Sequence, residues 1–254
     1  MRYFLEVSYD GLSFHGSQLQ GDLPTVQYAV NKALSTLLRV PIESFGASRT
    51  DEGVHALGNF YHFDYEGELH PHTVYKLNAL LPLKIAVVNL YEAKNPEMNA
   101  RFDALSRRYR YKIYKAKNPF KQGRALFHPY PLDVATLNET AAVLKEYLDF
   151  ETFSKRNTQT FTFKCTIFQS YWEENDDELH YVVEANRFLR GMVRALVGTQ
   201  IKVNKQPGSV ALFKSIIESK DCCRADFSVT GNGLYLEAVN FPEDTLINIS
   251  NHRI

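Results

Sequence analysis

What most constrains the fold of this chain is the order in which two hydrophobic periods alternate along it. Residues 2–9 alternate apolar and polar side chains, as a half-buried strand does, and Asp10-Gly11 ends the run. Over residues 25–39, Val26, Ala29, Val30, Ala33, Leu34, Leu37 and Leu38 recur at helical spacing as one continuous stripe. Pro24 and Thr25 suit the start of that helix and Pro41 its end. Two strands are expected next, at 41–45 and 57–63, then a helix at 71–80 and a strand at 85–92. Strand, helix, strand, strand, helix, strand is the split βαβ pattern of a ferredoxin-like unit with an antiparallel sheet.

The second half reads similarly. A strand is expected at 107–114, and a helix at 133–147 carries Val134, Leu137, Ala141 and Leu144 on one face. Residues 160–173 and 178–185 form a hairpin pair. A helix over 188–203 carries Leu189, Met192, Val193, Leu196 and Val197, another covers 209–219, and 234–240 is the last strand. With the boundary near residues 100–106, the expected organisation is an N-terminal half, 1–105, and a C-terminal half, 106–254. The fold class expected is α+β. Two related halves would share one mainly antiparallel sheet with a central cleft, and the lack of low-complexity tracts or long linkers would let them pack as one rigid body.

Composition narrows the function classes. A hydrophobic fraction of 44% and a charged fraction of 23% are ordinary for a soluble globular protein. The 15 Tyr and 17 Phe favour sheet. Residues 1–6 hold no apolar core of signal-peptide length, and no run approaches the roughly 18 apolar residues of a membrane span. Cys165 and the adjacent Cys222 and Cys223 make a disulfide framework improbable, and the eight His show no ligand spacing beside a Cys pair. A cytoplasmic protein without a metal or a membrane is expected. Net charge is zero, yet nine cations (Arg101, Arg107, Arg108, Arg110, Lys112, Lys115, Lys117, Lys121 and Arg124) stand against Asp103 alone between 101 and 124. Such a local excess is the footprint of a polyanion-binding surface, or of a solubilising basic face. The acidic run at 173–178 reads as a solvated hairpin tip.

Three stretches can carry chemistry. In Gly46-Ala47-Ser48-Arg49-Thr50-Asp51-Glu52-Gly53 a glycine at each end of a polar run marks a loop, which can hold Arg49 and Asp51 at the mouth of a cleft or form an ordinary turn with a surface ion pair. In Arg108-Tyr109-Arg110-Tyr111-Lys112-Ile113 strand pleating puts the cations on one face and the rings on the other. One face can touch phosphates while the other buries rings or offers one to a base. Arg190 and Arg194, four apart on the expected helix at 188–203, lie beside its apolar stripe. A buried cation there requires a partner, with Asp51 the candidate, unless Arg194 snorkels to solvent.

Asp10-Gly11 with His15-Gly16, the string Ser48-Arg49-Thr50-Asp51-Glu52-Gly53-Val54-His55-Ala56, Ala100-Arg101-Phe102, Arg107-Arg108-Tyr109-Arg110-Tyr111, Phe188-Leu189-Arg190-Gly191-Met192-Val193-Arg194, and Gly233-Leu234-Tyr235-Leu236 follow one another in this order. In that order and over essentially the whole chain, the sequence resembles the tRNA pseudouridine synthase A family. The resemblance implies the pseudouridine synthase fold, a homodimer, and isomerisation of uridine in or near the anticodon stem-loop of tRNA, with neither cofactor nor metal. It implies that Asp51 is the catalytic aspartate, a nucleophile or base, and that Arg49 helps displace the target base. Tyr109 would lie next to the uracil, Arg194 would pair with the aspartate, and Leu236 would pack on the site. Arg101, Arg107, Arg108, Arg110 and Lys112 would meet the RNA backbone.

Three positions depart from the family pattern. Ser17 stands where Trp is usual, Ser48 where Gly precedes the Arg-Thr-Asp, and Gly191 where His is common. They leave room for another RNA target, such as ribosomal RNA or another tRNA position, and for a non-catalytic RNA-binding or chaperone relative. A retaining glycosidase using Asp51 and Glu52 is disfavoured, because neighbouring carboxylates in a turn rarely span one bond at the roughly 5 Å that mechanism needs.

Overall fold

The computed structural model describes residues 1–156 and 161–250. In chain order the first elements are β1 (Arg2–Tyr9), α1 (Val26–Leu38), β2 (Phe45–Gly46), β3 (His55–Asp64), α2 (Thr73–Leu80) and β4 (Ile85–Ala93). Next come β5 (Ser106–Tyr114), β6 (Leu126–Phe127), α3 (Val134–Val143), β7 (Ile167–Asn175) and β8 (Glu178–Ala185). The last are α4 (Met192–Val203), α5 (Ser209–Glu218), β9 (Leu234–Asn240) and β10 (Leu246–Asn248). The class is α+β with mainly antiparallel pairing, as expected. Among the described residues no helix is long and apolar enough to cross a membrane.

The chain forms two compact units, residues 1–105 with 235–254, and residues 106–234. The last twenty residues, read from sequence as part of the C-terminal half, therefore cluster with the first unit. In that unit β1 runs antiparallel to both β3 and β4, β10 adds to β4, and β2 pairs with β3. The resulting order β4-β1-β3-β2 is that of a split βαβ unit. The strand expected at 41–45 shrinks to two residues, paired with Tyr61 and His62. The other end of β3 instead takes β9 in parallel, through His55 with Tyr235 and Ala56 with Leu236. Helix α1 begins where its side chains dictate. Thr25 Oγ1 accepts from Tyr28 N at 3.3 Å, and Val26, Val30, Ala33 and Leu34 are buried at helical spacing.

In the second unit β5, β8 and β7 form consecutive antiparallel pairs, and the two-residue β6 runs parallel to β5. Strand β7 starts at Ile167, later than expected; Thr160, its expected first residue, lies outside the described residues. Helix α4 starts at Met192, four residues later than its apolar spacing suggests. Gly191 sits at φ +75°, a left-handed conformation that interrupts α-helix and is tolerated by glycine. Arg190 is thus an exposed turn residue and does not share a helix face with Arg194, a correction to the sequence reading.

Candidate active site

The first unit holds the Asp51 loop by its backbone. Ser17 N donates to the Thr50 carbonyl at 3.0 Å, and Ser17 Oγ accepts from Thr50 N at 2.8 Å. Across β3, Asn59 Oδ1 accepts from Ser48 N at 3.2 Å while its Nδ2 donates to the Ser48 carbonyl at 3.0 Å. Tyr9 OH lies 2.8 Å from Thr50 Oγ1. Between these clamps Arg49 is exposed and Asp51 half-buried, while Ser48 and Thr50 are buried. The loop closes through Val54 N donating to the Asp51 carbonyl at 3.2 Å. The Asp10-Gly11 motif has a packing reason as well. A Cβ on Gly11 would come within 2.0 Å of the Val54 carbonyl oxygen, so only glycine lets that segment lie against the loop.

The charges around the loop are fixed by the same contacts. Burial works against ionisation of Asp10, but hydrogen bonds from Lys84 Nζ at 2.9 Å and Leu12 N at 3.2 Å prevail and hold its carboxyl below the usual range. Burial pushes the Tyr9 phenol up to about 12, so it stays protonated at neutral pH and serves as a hydrogen-bonding strut. Leu236 is fully buried and opposite Ala56, the last residue of the Asp51 string. Tyr235 stacks on His55 with centroids 4.5 Å apart. The loop, Arg49 and Leu236 thus belong to one packed unit.

In the second unit the alternation in β5 appears as read. Tyr109, Tyr111 and Ile113 are buried, and Arg108, Arg110 and Lys112 are half-buried. Tyr109 meets the Phe188 ring edge-on at 5.2 Å. Arg194 Nε donates to the Val229 carbonyl at 2.8 Å, so the guanidinium is aimed by the 227–229 backbone. The basic strand is less available than its sequence suggests. Arg107 is 8% exposed and donates to the Asn186 carbonyl at 2.9 Å. Arg108 Nη2 donates to Tyr171 OH at 3.0 Å, and Arg110 pairs with Glu173 and reaches His180 Nδ1 at 3.1 Å. Lys115 lies 3.5 Å from Glu174, and Lys121 pairs with Asp177 and, at 3.0 Å, with Glu178. The acidic run at 173–178 is therefore the counter-charge of the basic stretch, not only a solvated tip. Arg101, in the first unit, is exposed beside Phe102.

Asp221, Cys222 and Cys223 are close enough to share a cation. Arg156 already occupies their flank, with Nη2 at 2.8 Å from Cys223 Sγ and Nε at 3.3 Å from Cys222 Sγ, which opposes a second positive charge. Sequence reasoning missed Tyr9 and Asn59, which hold the loop, and met Ser17 only as a departure from the family pattern. Asn59 is fully buried and hydrogen-bonded to the loop, which its sequence neighbourhood does not disclose.

Comparison with known proteins gives the arrangement its setting. Residues 147–242 match a family model described as tRNA pseudouridine synthase. A protein of Bacteroides thetaiotaomicron named tRNA pseudouridine synthase A is 43% identical over 247 residues, 96% of this chain and 91% of the relative. One of the same name from Bacteroides fragilis is 44% identical over 249 residues, 96% and 97% of the two chains. A Staphylococcus aureus protein of that name is 34% identical over 250 residues, 97% and 93%. At this identity over nearly its full length, the chain belongs to the tRNA pseudouridine synthase A family.

Proposed function

We propose that this protein converts uridine to pseudouridine in tRNA, in or near the anticodon stem-loop, with Asp51 as the catalytic carboxylate. The observation that carries the reading is the clamped loop. Ser48 and Thr50 are fixed by Ser17, Asn59 and Tyr9, while Arg49 and Asp51 between and beyond them keep accessible side chains. A rigid backbone presenting a carboxylate suits nucleophilic or base catalysis. The N1–C1′ bond breaks, the uracil turns, and C5 bonds to C1′; the C5 proton leaves to water and N1 ends protonated. Asp51 either attacks C1′ as the N1–C1′ bond breaks and is displaced when C5 bonds to C1′, or takes the C2′ proton as N1 leaves and returns it to C2′ when C5 adds to C1′. Substrate and product are isomers, so the balance calls for no redox cofactor.

Flipping the uridine out costs a few kcal/mol, offset by backbone contacts and stacking. Arg49 assists that displacement, Tyr109 contacts the uracil, Arg194 supports the substrate site and Leu236 backs the Asp51 loop. Arg101, Arg108, Arg110 and Lys112 supply phosphate contacts, with Arg110 weakened by Glu173. Arg107 orders its surroundings through Asn186 instead. The protein acts in the cytoplasm as a homodimer. Tritium release from RNA labelled at uridine C5 tests the reading. Release from total tRNA and not from ribosomal RNA is expected; release from ribosomal RNA alone would overturn the substrate, and release from neither would overturn the activity.

A further inference from the structure

Beside Arg49, and wholly within the first unit, lies a cavity of about 230 Å³ to which the proposed reaction assigns no occupant. It is smaller than the roughly 300–1,000 Å³ of a drug-sized ligand site and suits one planar ring system. Arg49, Arg101, Phe45, Phe102, Ser48 and Gln18 are among its walls. Two of these are rings left open to solvent, Phe45 at 49% and Phe102 at 77%. The Ser48 hydroxyl is buried and makes no hydrogen bond among the described residues, an expensive state that a polar ligand edge would relieve.

The cavity is built, not incidental. Phe45 stacks on His62 at 5.3 Å, and His62 Nδ1 accepts from Ala100 N at 3.1 Å, which fastens the segment carrying Arg101 and Phe102. Asn99 Oδ1 folds that segment by accepting from Arg101 N at 2.9 Å and Phe102 N at 3.3 Å. The Arg101 guanidinium carbon lies 5.6 Å from the centre of the Phe102 ring. Exposed rings flanked by arginines form a platform for a base with its phosphate alongside.

We infer that this cavity seats the base of a nucleotide adjacent to the target uridine, with its phosphate on Arg49 and Arg101. The inference rests on the reading of the chain as a tRNA uridine isomerase. Seating the neighbour would hold the strand distorted while the uridine is out of its stack, so binding there supports the displacement attributed to Arg49.

The test uses anticodon-arm RNA tritiated at the target uridine, intact or abasic at its 5′ or 3′ neighbour, with the wild-type chain and Phe102→Ala. Both tritium release and RNA affinity are measured. Phe102 is so exposed that its loss leaves the fold in place. One of the two abasic RNAs is expected to bind the wild type about tenfold more weakly, and Phe102→Ala to lose about tenfold on intact RNA. Combined, the two changes should cost no more than either alone, both in affinity and in release at saturating RNA. Losses that multiply for both neighbours, or abasic RNAs bound as well as intact RNA, would overturn the seat. Absence of release by the wild type would overturn the isomerase reading alone, because the affinities still test the cavity.

Discussion

A single amide, that of Asn59, receives the Ser48 N–H and donates to the Ser48 carbonyl, to Tyr9 OH at 3.3 Å and, weakly, to Tyr61 OH at 3.5 Å. Truncating it leaves several buried polar groups without partners, each costing about 1–3 kcal/mol. Asn59→Ala should lower stability by about 2–4 kcal/mol, read as a fall in Tm of roughly 5–12 °C. It should also slow tritium release more than it weakens tRNA binding, because the loop that carries Asp51 loosens. Unchanged turnover in a correctly folded variant would show that the clamp is not needed for catalysis. The glycine-bounded run around Asp51 was legible in the sequence because turn chemistry is local. Ser17 and Asn59 were not, since their contacts with Thr50 and Ser48 span 33 and 11 residues and leave no periodic trace.

At the level of elements, β2 joins pairing and titration. Its short pairing with β3 places Phe45 on His62, whose ring is held down to about 4, chiefly by burial and then by Arg2. The unfolded chain takes up that proton near 6.5, so between there and about 4 the unfolded state binds more protons than the native one. This contribution to stability is fully present above pH 6.5 and is lost as pH falls through the window. Urea midpoints for the wild type should drop from pH 7 to pH 4.5 more steeply than for His62→Gln; equal slopes would remove His62 as the cause. Strand β5 offers a second test. Glu173 neutralises Arg110, so Glu173→Gln should tighten tRNA binding a few-fold at low salt and lose the gain at high salt. No change at low salt would take Arg110 off the RNA-binding face. Strand alternation made β5 legible, whereas its pairing with the acidic hairpin depended on β7 and β8 lying beside it in register.

For the whole molecule, the order of the longer strands and helices was readable because each carries its own period, whereas the two-residue β6 and three-residue β10 are too short to carry one. The break after residue 105 coincides with the start of β5. The return of residues 235–254 to the first unit was not readable, because the pairing of β9 with β3 is set by which part of β3 the short β2 leaves open. The proposed homodimer would sediment at twice 29.2 kDa, independent of concentration in the micromolar range; a species of 29.2 kDa would overturn that proposal. We propose that this molecule makes pseudouridine through Asp51. The deciding measurement is tritium release from C5-labelled tRNA with the wild type and Asp51→Asn, alongside tRNA affinity and unfolding of both. Release by the wild type that falls by at least about a thousandfold in the variant, at unchanged affinity and stability, is the predicted result. Equal release by the two proteins would contradict it.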